Sequence, residues 1–312
     1  MVQAIHLEAA GQFQTRCEFA LADRARLALV VVGPWRPACS QRLALSTGLL
    51  CVSLRTEIDA APNSASQTGG GKSVNSDTAI RLSAGEAHAV WAPSYDRNPN
   101  PMLSLEERII VPLLPGPAEI AEMAVLDVAC GTGRWLEHFV KRGARLAVGF
   151  DLSPEMLNEA RRKPLLNDRL MQADCLSIPV LRNAMDVAIC SFAVSYVDDL
   201  CGFASELSRI VKKGRHLFIA DFHPSAHLRG WKRSFRHDGG LVEISSFQYS
   251  IGSICEKFAT AGFDLVTRSE PCFGEEERSI FEGAGKGHFF EESRKEPAIF
   301  VCHFRRSTDR TP

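Results

Sequence analysis

The chain has 312 residues, 45% hydrophobic and 23% charged, enough to bury the core of one large domain or of a domain with a small appendage. A collagen-like, coiled-coil or wholly disordered chain is excluded by that composition. Thirty-six Lys and Arg against thirty-seven Asp and Glu leave a formal charge of −1, which supplies no long-range field for a polyphosphate and disfavours nucleic acid as the partner.

Ten cysteines form no CxxC pair, and Cys190 and Cys302 sit inside the apolar runs DVAICSF and AIFVCHF, as expected of a reduced, cytoplasmic protein. The apolar runs at 27–33 and 43–54 are too short to span a membrane, and no targeting segment is read. Residues 1–62 contain strand-like pieces without a chemical motif. Residues 63–79, with three consecutive glycines and several serines, are expected to be a flexible linker. The GGGKS at 69–73 lacks the GxxxxG spacing of a phosphate loop.

From residue 80 onward, strand and helix signals alternate, which predicts a doubly wound, mostly parallel sheet of about seven strands in an α/β domain covering 80–312. A helix is expected at 104–114, capped by Ser104, with Glu106 and Glu107 placed for the helix dipole. A buried strand at 124–129 leads into a helix at 134–142. A second strand covers 144–150, and a helix at 153–162 is opened by Ser153 and Pro154. Strands follow at 169–173, 186–191, 216–221, 264–269 and 297–305, with helices at 179–183, 200–211 and 250–261. Between His223 and Tyr249 an insertion reads as a hairpin about Asp238, Gly239 and Gly240. A second, acidic insertion covers 274–296 and receives no role.

The most informative stretch is VLDVACGTGRW at 125–135. A hydrophobic strand runs into Gly131 and Gly133 and then into a helix, so free backbone amides face any ligand at the helix entry. Twenty residues after Gly131, the second strand ends in Asp151, placed to accept from both hydroxyls of a ribose. Asp127 before the loop would repel a dinucleotide pyrophosphate and welcome an ammonium group. The third glycine of GxGxxG is replaced by Leu136, and Asp174 and Cys175 follow the third strand, where a carboxylate can accept from an adenine amino group. These features favour S-adenosyl-L-methionine (SAM) over a nicotinamide cofactor.

The segments DVACGTGR, GFDLSPEML, MQADCL, DVAICSFAVSYVDDL and ELSRIVKKGRHLFIADFH, in this order, resemble the successive motifs of class I SAM-dependent methyltransferases, with Ala129 where the first glycine is usual. The loop should tolerate alanine there if that position is not left-handed. The resemblance implies cofactor contacts from Asp127, Ala129, Gly131, Gly133, Asp151, Leu152, Met156, Asp174, Cys175, Ser191 and Phe192. Tyr95 and Asp96 resemble the Tyr-Asp pair of an N-terminal lid in methyltransferases of the quinone-biosynthesis type, where the tyrosine covers the cofactor. His223 and Tyr196 are the candidate catalytic groups, and no metal site is expected. Insertion 223–249 is expected to cap the acceptor, and Arg229, Lys232, Arg233 and Arg236 are candidate contacts for an anionic one, with a solvated basic face as the alternative. The implied function is methyl transfer to a small molecule. The alternatives are an RNA or protein methyltransferase, or a SAM-binding partner protein without catalysis. Oligomeric state is not legible.

Overall fold

The computed structural model describes residues 79–97 and 99–308, and before them only the backbone of five short strands, the longest being Ala4–Ala9 and Phe13–Glu18. Apart from those strands, the segment expected at 1–62 and the linker expected at 63–79, save its last residue, lie outside the described residues, as does the GGGKS run.

The main sheet has seven strands: β2 (Ala124–Val128), β3 (Leu146–Asp151), β4 (Leu170–Gln172), β5 (Met185–Ser191), β6 (Val211–Phe222), β9 (Phe263–Ser269) and β10 (Ile299–Arg306). Their spatial order is β9-β10-β6-β5-β2-β3-β4. Pairing is parallel from β4 to β6, and β10 runs antiparallel to both β6 and β9. This is the doubly wound, mostly parallel architecture expected from the sequence.

Both faces of the central strands are covered, which is why they read as nearly continuous apolar runs. In β2, Ala124, Leu126 and Val128 join one core while Val125 joins the other. In β5, Ala188 and Cys190 face the first core and Val187 and Ile189 the second, as the two-residue period of a strand requires. Helices α4 (Arg134–Lys141), α5 (Pro154–Arg161), α6 (Leu200–Ile210) and α8 (Ile251–Thr260) connect or flank the strands. Ser153 accepts from the Met156 N–H at 3.2 Å with Pro154 in the first turn, as expected.

Two helical expectations change. The helix expected at 104–114 starts earlier, as α2 (Pro101–Ile110), capped by Asn100 rather than Ser104. Asn100 lies beyond the apolar period, and Pro101 supplies a preset φ at the first helical position. Residues 179–183 form a turn and not a helix; Pro179 and the left-handed Asn183, with φ of 52°, leave too little chain for one.

A second, three-stranded sheet joins β1 (Ile80–Leu82) in parallel to β8 (Gly240–Ile244), which pairs with β7 (Ser234–His237). The expected hairpin is present, with Asp238 and Gly239 both at positive φ, the conformation of a two-residue turn matched to strand twist. Through β1 the start of the domain is hydrogen-bonded to the insertion. The helix α1 (Ala84–Trp91) then lays Trp91 flat on Phe235, with ring centroids 4.7 Å apart.

Candidate cofactor and acceptor site

Strands β3, β2, β5 and β6 bring their carboxyl ends side by side, the edge where ligands bind in doubly wound sheets. At β3, Asp151 accepts from the Gly131 N–H and the Ser153 N–H, each at 2.8 Å. A carboxylate has about four acceptor positions, so capacity for two ribose hydroxyls remains. Beside it Leu152 is 63% exposed and Leu176 40%; large apolar side chains open at the lip of a polar site suit the face of an adenine. Asp174 is exposed and caps the Leu176 N–H at 2.9 Å. Cys175 is half-buried, and burial, then the nearby Asp174, push its thiol up to about 12; it packs against the core rather than acting as a nucleophile. Met156 is buried at the start of α5.

The glycine loop has left-handed backbone at three alternate positions, 129, 131 and 133. At Gly133, with φ of 82°, a Cβ would stand 2.5 Å from Leu166 Cδ1, so the buried leucine would have to shift. Gly131 is also left-handed, with φ of 53°. Ala129 is left-handed too, at φ of 52°, so the condition under which alanine is innocuous is not met: its Cβ crowds the following carbonyl. Ala129→Gly is therefore expected to raise stability by about 0.5–1 kcal/mol, roughly 2 °C in melting temperature for a domain of this size. A thermal melt with no gain would show that the loop accommodates the methyl without strain.

Asp127 is 2% exposed and accepts from the Leu136 N–H at 2.8 Å, tying the strand to the first turn of α4. Burial pushes its carboxyl up to about 7 against the stabilising hydrogen bond from Leu136. Glu106, expected in the first helical turn to suit the dipole, lies mid-helix and is fully buried. One of its oxygens takes the Arg134 guanidinium and the Trp135 ring N–H, the latter at 3.3 Å, while Oε1 has no partner. Arg134 also donates to Ser191 Oγ at 3.1 Å, so the loop, α2 and the end of β5 share one polar network. The signal for Glu106 was present in the sequence: it lies four residues from both Met102 and Ile110, which are buried, and so on the apolar face of the helix.

The Tyr95–Asp96 pair, expected to form a lid, is tied to the loop through Asp96. Asp96 accepts from Thr132 Oγ1 at 2.7 Å and pairs with Lys163 at 2.8 Å. Tyr95 stands edge-on to Trp91, and burial raises its hydroxyl to about 12. Nothing in the local pattern around Lys163 announces this contact, which depends on the fold bringing α5 under the lid.

On the acceptor side, Phe192 follows β5 at φ of 54°, an uncommon conformation for a bulky residue and typical of strained functional turns. Tyr196 is held by a weak bond from Arg233 at 3.4 Å, and burial raises its hydroxyl above the usual value. Arg233, expected either to contact an anionic acceptor or to lie on a solvated basic face, is buried and paired with Asp221 at the end of β6. The other cations of that group are partly committed: Lys232 pairs with Glu243 at 2.6 Å, and Arg229 donates to Ser225 Oγ at 2.8 Å. His223 has both ring nitrogens engaged, with Ser225 Oγ and with Glu270, each at 2.7 Å. In the second insertion, α9 (Glu275–Gly283) presents Glu277 to Arg108 of α2 at 3.1 Å. No group of three or more metal-ligating side chains occurs among the described residues, and no described helix is long and apolar enough to cross a membrane.

A family model described as a methyltransferase domain matches residues 125–214. A malonyl-[acyl-carrier protein] O-methyltransferase of Hamiltonella defensa is 32% identical over 111 residues, 36% of this chain and 42% of that protein. A demethylmenaquinone methyltransferase of Corynebacterium kroppenstedtii is 36% identical over 98 residues, 31% of this chain and 41% of that one. The chain thus spans less than half the length of these two relatives. Among solved structures, SAM-dependent methyltransferases of Mesorhizobium loti (19% identity, TM-score 0.52, 64% of this chain and 97% of that one) and Thermotoga maritima (18%, 0.51, 71% and 99%) share the fold. The order of strand, glycine loop, helix, strand and acid agrees with a methyltransferase-domain match over residues 125–214 and with a fold shared with S-adenosylmethionine-dependent methyltransferases.

Proposed function

We propose that residues 80–312 form the catalytic unit of a SAM-dependent methyltransferase acting on a small molecule, with insertion 223–249 as the cap over the acceptor. The observation that carries this reading is Asp151 bonded to the Gly131 amide at 2.8 Å, which fixes a ribose-accepting carboxylate to the loop that would hold the methionine part. When bound, SAM supplies an activated methyl group. The protein aligns the acceptor, excludes water and, for a protonated acceptor, removes a proton. The closed lid, through Asp96, supports the exclusion of water, and Asp127 is suited to the cofactor ammonium. The malonyl-carrier and menaquinone relatives support a small or carrier-borne acceptor. Titration calorimetry with SAM and its demethylated product, S-adenosylhomocysteine, tests binding. Labelled methyl transfer offered separately to metabolite and RNA pools tests the acceptor class; label entering only RNA would overturn the small-molecule reading.

The environment of Asp127 gives this reading a pH signature. Its folded-state value, about 7, lies above the unfolded value of about 4. Between those limits the folded state keeps a proton that the unfolded chain has released, so this residue makes stability fall as pH rises from about 4 to about 7. A bound ammonium favours the ionised form, so SAM affinity is expected to climb several-fold between about pH 6 and pH 8. Asp127→Asn should flatten both trends in calorimetry and pH-dependent melts. An unchanged affinity slope in the variant would remove Asp127 from ammonium recognition.

A further inference from the structure

Two adjoining cavities are walled by the insertion, and the smaller, inner one lies against the carboxyl ends of β5 and β6. The outer one, about 190 Å³, is walled by Arg81, Lys232, Glu243 and Ser245, and the inner one, about 20 Å³, by Ser195, Asp221, Phe222, Phe247 and Tyr249. His227, Arg233 and Gln248 wall both. An inner volume of that size holds about one water-sized group, so it suits a single oxygen of a larger ligand, set among the Phe222, Phe247 and Tyr249 rings.

The polar atoms around the inner cavity are unevenly satisfied. Asp221 accepts from three donors, Arg233 and the Ser195 and Phe222 N–H groups, the latter two at 3.0 and 2.7 Å. Arg233 Nε and Ser195 Oγ, by contrast, are buried without a hydrogen-bond partner. Both can donate, and a buried donor left unpaired is costly, so the complementary ligand brings an oxygen that accepts. His227, on the short helix α7 (Ser225–Leu228), borders the same space, and no side chain among the described residues bonds its ring. Burial, with Arg233 as the nearby charge, holds its imidazole below the usual value, so the ring is unprotonated at neutral pH and ready to accept a proton. His223, four residues earlier, has no such freedom.

We propose that His227 is the general base of the methyl transfer, and that the acceptor is a phenol or enol whose oxygen is held by Arg233 and Ser195; this rests on the methyltransferase reading above. The acceptor O–H proton passes to a ring nitrogen of His227. The oxygen forms its bond to the methyl carbon as the carbon–sulfur bond breaks, and that electron pair returns to sulfur, leaving the thioether product. Arg233, already cationic, stabilises the developing phenolate without taking a proton.

The test uses the full chain with SAM and two matched probes, an unsubstituted phenol and a polyfluorinated phenol already ionised at the assay pH, with ether product read by mass spectrometry. His227→Gln is expected to lose about 10²-fold or more on the protonated phenol and little on the ionised one, with S-adenosylhomocysteine affinity unchanged. His223→Gln should treat both phenols alike. Equal losses on the two phenols in His227→Gln, a larger selective loss in His223→Gln, or no methylation of either phenol by a wild-type protein that binds SAM would overturn the assignment. Failure of the wild type to bind SAM would instead overturn the reading beneath it.

Discussion

Asp151→Ala is expected to weaken SAM binding by at least a hundredfold. A carboxylate accepting from two ribose hydroxyls makes two charge-assisted hydrogen bonds, each contributing about 1.5–3 kcal/mol, and about 1.4 kcal/mol is a factor of ten in affinity. The substitution also frees the Gly131 amide, which Asp151 holds at 2.8 Å, so the loop loses its anchor as well as its ligand contact. Asp151→Asn keeps the shape and one acceptor oxygen and should fall between the two. Calorimetry on all three proteins decides the matter, and wild-type affinity in Asp151→Ala would mean that the ribose sits elsewhere.

The largest loss of stability is expected from separating Asp221 and Arg233. Both side chains are almost fully buried, at 2% and 6% exposure. Arg233 also lies over the Phe222 and Tyr196 rings, 4.4 and 5.0 Å from their centroids. Arg233→Ala leaves a buried carboxylate without its cation, a change that costs about 3–5 kcal/mol, or about 10 °C in melting temperature for a domain of this length. The double variant Asp221→Leu with Arg233→Met should recover most of that loss, because two apolar residues need no partner. It should not recover methyl transfer, since the donor facing the inner cavity is gone. Denaturant melts of the single and double variants measure the coupling; a double variant as unstable as Arg233→Ala would show that the insertion is held by something other than this pair.

The loop that carries the candidate cofactor residues was legible because its elements are contiguous. Gly131, Gly133 and Asp151 belong to one strand–loop–helix–strand unit, in which backbone geometry alone requires small residues at the turn and places an acid at the next strand end. The left-handed state of Ala129 was not legible, since a φ value depends on how the loop closes against β3. Ser153 and Pro154 announce α5, whereas Ser104 and Asn100 are both good caps and only packing decides that α2 starts at Asn100.

The seven strands, their alternation with helices and the hairpin at Asp238 follow from the sequence by itself, as hydrophobic period and turn chemistry are local properties. The tertiary structure alone decided which charges meet. It buried Glu106 against Arg134, drew Lys163 under Asp96, buried Arg233 as the partner of Asp221, and committed both nitrogens of His223 while leaving His227 beside the cavity. Arg233 and Asp221 are 12 residues apart and Lys163 and Asp96 much further. Pairing between residues so separated is set by strand order and loop path, and a side chain's charge carries no record of the partner it will meet.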